Sequence, residues 1–152
     1  MEVLRRHGIR SAMINGGDVE VMGGRAGRPW RVGIRHPRRE GALLGTLELT
    51  DGFVVSSGDY ERYFIRDGRR YHHILDPRSG YPAEGPQQVS LAGVELEALN
   101  GLSLAVMVRG LAWGRALFEQ RPGVEALIVE RDGQVWASAG LAAHYRYAPV
   151  AP

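Results

Sequence analysis

Apolar and polar residues alternate along residues 30–35 and again along 43–50, the two-residue period of a strand with one buried face. Asp51-Gly52 ends the second run and predicts a tight hairpin turn, with 53–56 as its return strand. Asp67-Gly68 divides 63–66 from 69–75 and predicts a second hairpin, and Asp132-Gly133 divides 124–130 from 134–137 and predicts a third. Short β-prone runs at 11–15 and 19–22 are split by Gly16-Gly17, and 87–93 reads as a further strand; 23–29 and 76–86 read as loops. The one long helical period covers 95–120, where Leu99, Leu102, Val106 and Trp113 fall on one face. Gly101, Gly110 and Gly114 weaken its propensity and predict close packing against a neighbour. The opening residues read as the end of a helix stopped at Gly8, and 145–152 as surface chain. No repeat or linker divides the sequence. Residues 1–152 are therefore expected to form a single α+β domain with a mostly antiparallel sheet and one long packed helix.

Composition narrows the chemistry. With 152 residues the chain can bury one core. It has no cysteine, which removes disulfides and thiolate metal sites. No apolar run is long enough to cross a bilayer, and the opening residues do not read as a signal peptide, so the compartment stays unassigned. All 19 basic residues are arginine, yet the net charge is only +2. That is a poor footprint for nucleic acid, which calls for a concentrated basic face. Arginine does suit phosphate, because its planar fork grips oxyanions in pairs.

Three segments carry candidate chemistry. In YHHILDPRSGYP (71–82), adjacent histidines at a strand end point to opposite faces, so that one can face a pocket. Asp76-Pro77 then breaks the strand, and the turn through Arg78, Ser79 and Gly80 can present an arginine to phosphate. In VVSSGDYERYF (54–64), the turn through Ser57, Gly58 and Asp59 can offer N–H and hydroxyl groups to an anion, and Tyr60 and Tyr63 can stack on a planar ring. In INGGDVEVMGG (14–24), Gly16 and Gly17 before Asp18 let backbone approach a ligand. Taken alone, the first two segments read better as an ordinary hairpin end and a tight turn with core tyrosines, and the third equally as an ordinary β-turn.

In order and spacing, Ile14-Asn15-Gly16-Gly17-Asp18, Pro29-Trp30, SSGDYERYF (56–64) and HILDPRSGYP (73–82) resemble the ApbE-type flavin transferases, the FAD:protein FMN transferases. The resemblance is strong from Met1 to about Pro82 and looser beyond. It implies a magnesium-assisted cleavage of FAD that moves FMN onto a serine or threonine of a partner protein, or onto water. It further implies His73 as the base that takes the attacking hydroxyl's proton, Asp76 as the holder of the loop, and Gly16, Gly17, Asp18, Ser57, Gly58, Asp59 and Arg78 as the flavin nucleotide's contacts. Family members are often exported in bacteria, which does not assign a compartment here.

Two departures qualify that expectation. The family's magnesium ligands, an Asp and a Thr on one helix face, fall here on Asn100 and Leu104; Asn100 and Ser103, three apart, are the remaining oxygen donors. The family's chain is also longer, and its N-terminal half, which supplies part of the flavin pocket, has no counterpart in this sequence. A half pocket predicts self-association or a complementary chain, and the alternative of a degenerate flavin-binding or interaction module, or a fragment of a full transferase, stays open.

Overall fold

The computed structural model describes residues 1–150. In chain order the elements are α1 (Glu2–Arg6), β1 (Ala12–Asn15), β2 (Val19–Met22), β3 (Trp30–Arg35), β4 (Leu43–Leu49), β5 (Gly52–Gly58), β6 (Tyr63–Arg66), β7 (Arg69–His72) and β8 (Gln88–Gly93). After them come α2 (Leu96–Arg109), α3 (Leu111–Glu119), β9 (Glu125–Val129), β10 (Val135–Ala137), α4 (Ala139–Tyr145) and β11 (Ala148–Pro149). The fold is α+β, as the pattern implies, and every strand pair is antiparallel.

A six-stranded sheet, ordered β1-β2-β5-β8-β9-β10, forms the middle layer. On one face Val55, Val89, Leu91, Ala126 and Ile128 pack against Leu99, Val106 and Met107 of α2 and Phe118 of α3. On the other face Val21, Val54, Ala92, Leu127 and Val129 meet Val32, Ile34, Leu47 and Leu49 of a smaller sheet ordered β11-β4-β3, with Leu141 of α4 alongside. β6 and β7 form a separate two-stranded ribbon. Asp67 and Gly68 both take positive φ at its tip (50° and 72°), the geometry of the expected hairpin turn. The Asp132-Gly133 hairpin forms as well, joining β9 to β10.

Three expectations from the pattern need correction. Asp51-Gly52 is not a hairpin turn. β4 pairs with β3, while β5 pairs with β2 and β8, so the dipeptide carries the chain from one sheet to the other. Two alternating runs across a turn signal look the same whether they pair edge to edge or stack face to face; burial of both apolar faces selects stacking here. The long helix is two helices. Gly110 sits at φ 84°, ψ 173°, a backbone region essentially reserved for glycine, and its N–H closes α2 on the Val106 carbonyl at 2.8 Å. Gly114 provides the close packing, since a Cβ there would stand 2.9 Å from Val106 Cγ1, whereas Gly101 faces open space. Finally, α4, which the pattern does not assign, seals the core with Leu141, and the expected surface chain from 145 adds the exposed β11 to the edge of β4; residues 151 and 152 of it lie outside the described residues.

The loop after β7 is pinned against α2 at one point. A Cβ on Gly85 would lie 1.9 Å from the Met107 carbonyl oxygen, a backbone atom that cannot swing aside. Gly85→Ala is expected to cost about 2 kcal/mol in urea unfolding, because helix and loop must separate. An unchanged midpoint would show that the loop does not bear on α2.

Candidate functional site

The turn between β1 and β2 is short and nearly bare. Gly16 N–H donates to the Asp18 carbonyl at 3.1 Å, and Gly17 N–H to Asn15 Oδ1 at 3.3 Å. A Cβ on either glycine would meet nothing within 4 Å, so the backbone lies open to a ligand. Asp18 turns the other way, and its Oδ2 accepts from Asn100 Nδ2 on α2 at 3.1 Å.

At the end of β5 the strand's alternation splits two serines. Ser57 points to the helix side and shares a 2.8 Å hydrogen bond with Ser103 Oγ. Ser56 points to the other face, 2.9 Å from Ser90 Oγ. Asp59 anchors the turn that follows. Its N–H donates to the Gln87 carbonyl at 3.0 Å, and its carboxylate accepts both Arg38 nitrogens at 2.6 Å each. Tyr60 folds back over Gly58, where a Cβ would strike its ring at 2.3 Å.

The two histidines diverge as their positions imply. His72 is buried; its Nε2 donates to the Ala83 carbonyl at 3.1 Å, and burial holds the imidazole below its ordinary pKa and so neutral. His73 is exposed, and its Nδ1 donates to the Arg62 carbonyl at 3.3 Å. That bond fixes the tautomer and leaves the Nε2 lone pair as a proton acceptor. The strand is shorter than the expected 69–75, ending at His72, since the His73 N–H already donates to Arg62 outside the ladder, at 3.1 Å.

Asp76 organises the following loop. Its carboxylate accepts from Arg78 N at 2.9 Å, Nε at 3.1 Å and Nη2 at 2.6 Å, and its own carbonyl accepts from Gly80 N–H at 2.8 Å. The Arg78 side chain, then its backbone N–H, hold the carboxyl down at about 2.

These segments meet unequally. Gly16, Gly17, Asp18, Ser56, Tyr60 and His73 line one cleft of about 780 Å³, together with Val32, Gly33, Arg35, Glu61 and Arg62. Ser57 faces α2 instead, Asp59 lines a separate basic cavity with His72, and Arg78 lies outside the cleft, tied to Asp76. Sequence reasoning missed Arg62, whose carbonyl orients His73, and Arg38, which holds Asp59. Neither carries a local signal, because each acts through a contact far along the chain.

The residues at the expected metal positions do not fit a divalent cation. Asn100 presents its amide N–H, not its oxygen, to Asp18, and Leu104 is 45% exposed and has no donor atom. No cluster of three or more His, Cys, Asp or Glu side chains able to hold a metal occurs among the described residues.

Residues 1–128 match the ApbE family. The chain is similar to an FAD:protein FMN transferase of Klebsiella pneumoniae, 36% identical over 138 residues that cover 88% of this chain and 42% of that one. It is similar to an FAD:protein FMN transferase of Treponema pallidum, 37% identical over 155 residues covering 93% of this chain and 42% of the relative. In structure it is similar to the Pseudomonas stutzeri flavinyl transferase ApbE, with a TM-score of 0.77 and 36% identity over 98% of this chain and 48% of the other. The chain thus spans about two fifths of the length of these two transferase sequences, 42% in each case.

A carboxyl whose folded value is depressed stabilises the fold above its unfolded value and stops doing so as pH falls through the folded one. The Asp76–Arg78 pairing is therefore intact above the ordinary 3.8 and lost as pH drops toward about 2. Carboxyl NMR titration should place Asp76 at about 2, and Arg78→Ala should raise it part of the way toward the ordinary 3.8, because the backbone N–H at 78 still donates. A midpoint unmoved by Arg78→Ala would remove the guanidinium as the cause.

Proposed function

Because this chain belongs to the ApbE family, we propose that it takes FAD as substrate and passes its FMN moiety to a serine or threonine hydroxyl of an acceptor protein, or to water. The observation that carries this reading is the cleft in which a bare glycine turn, an aromatic wall at Tyr60 and a histidine with a free Nε2 face one space. The attacking hydroxyl oxygen forms a new bond to the FMN phosphorus as the bond from that phosphorus to the bridging pyrophosphate oxygen breaks. AMP leaves with that electron pair, and the hydroxyl proton passes to His73 Nε2. The open backbone at Gly16 and Gly17 admits the ligand, and Arg62 lines its path with positive charge, while Arg35 is paired with Glu61. Asp76 acts at one remove, by shaping the loop that follows His73. Magnesium carries no step here, since Asn100 and Ser103 do not supply its oxygen ligands.

A second reading, a flavin-binding module without turnover, is favoured by the Asn100 amide on Asp18. Either reading leaves the cleft open beside the unpaired edge of β1, where Ile14 is exposed. A second copy or a complementary chain is proposed to cover it.

FAD is internally quenched, so release of FMN raises fluorescence. With FAD, in magnesium and in chelator, the protein should release FMN, and His73→Ala should slow release by about 10²–10⁴-fold while FAD still binds. Release at equal rates would sink His73 as the base. Saturable FAD binding with no release would favour the binding module. Native mass spectrometry showing a monomer that gains no partner would count against the covering chain.

A further inference from the structure

Where the family's ligands would gather around a cation, this chain closes a line of hydrogen bonds. We infer that Asp18, Asn100, Ser103 and Ser57 form a clasp that holds the β1–β2 glycine turn onto α2 without a divalent ion.

Each proton in the line has a destination. Asn100 Nδ2–H donates to Asp18 Oδ2 at 3.1 Å. Ser103 Oγ–H donates to the Asn100 backbone carbonyl at 3.0 Å, one turn back along α2. A hydroxyl has one proton, so in the 2.8 Å contact between Ser103 and Ser57 it is Ser57 that donates. Ser103 is fully buried, at 0% exposure, and its oxygen already accepts one bond. A cation at this place would have to turn the Asn100 amide around, break its bond to Asp18 and take neutral oxygens in exchange. Hard cations such as magnesium require several oxygens in near-octahedral array and give up water reluctantly. The amide bridges the Asp18 carboxylate to α2 and gives that carboxylate its donor. The clasp is a property of the folded chain and stands apart from whether the cleft turns FAD over.

Asn100→Asp tests it, because it keeps the shape, removes the donor and sets two carboxylates against each other. Free Mn²⁺ is followed by electron paramagnetic resonance, with and without FAD, against FAD alone as the blank. The wild type should bind no Mn²⁺ beyond the blank, and Asn100→Asp should bind one ion at least about tenfold more tightly. The melting temperature of the wild type should be the same in magnesium and in chelator, while that of Asn100→Asp should rise with Mn²⁺. Wild-type Mn²⁺ binding that disappears in Asp18→Asn, a magnesium-dependent rise in the wild-type melt, or Asn100→Asp binding no better than wild type would each overturn the clasp. Should Asn100→Asp fail to fold, the wild-type and Asp18→Asn measurements decide alone.

Discussion

Strand β8 is buried at every position, and the rest of the molecule is arranged around that demand. A strand with no solvent face needs partners above, below and on both edges. β5 and β9 pair with its edges, α2 and α3 cover one face, and the β3–β4 sheet covers the other. The polar residues of β8 must then find partners inside. Ser90 does so with Ser56 and with Gln88 Nε2, at 2.9 Å each. Unpaired polar groups inside a core are costly, a cost that Gln88 Oε1, buried with no partner among the described residues, still carries.

The same constraint sorts the site. β5 lies beside β8, with α2 over one face and the β3–β4 sheet over only part of the other, so consecutive side chains on it serve different layers. Ser57 enters the helix layer and Ser56, exposed, faces the cleft. At the end of β7 the alternation recurs, with His72 turned inward to the Ala83 carbonyl and His73 outward to the cleft. A shift of one residue in β7 would exchange the two histidines, turning His73 into the core and His72 to the cleft.

Local chemistry was legible in the sequence, and partnership was not. The Asp67-Gly68 and Asp132-Gly133 turns follow from residues adjacent in the chain. So does the opposite facing of the two histidines. The Asp51-Gly52 turn misled because its dipeptide says that the chain turns, not whether the flanking strands pair or stack. The break at Gly110 lay inside a run whose apolar spacing continues on both sides. α4 and β11 carry little pattern of their own and are held by Leu141 and the β4 edge. In the site, the glycine turn and His73 were readable as motifs. Their coming together with Tyr60, and the departure of Asp59 to Arg38, depend on contacts between distant segments.

The bond between Asp18 and Asn100 joins positions 82 apart in the sequence. Contacts of such separation cost the most loop entropy and slow folding most strongly. The glycine turn is a two-strand hairpin at the sheet's edge and gains its fixed place only when α2 has docked on β5 and β8. An incompletely folded chain therefore presents no ordered cleft, and the cleft takes shape with the end of folding rather than during it.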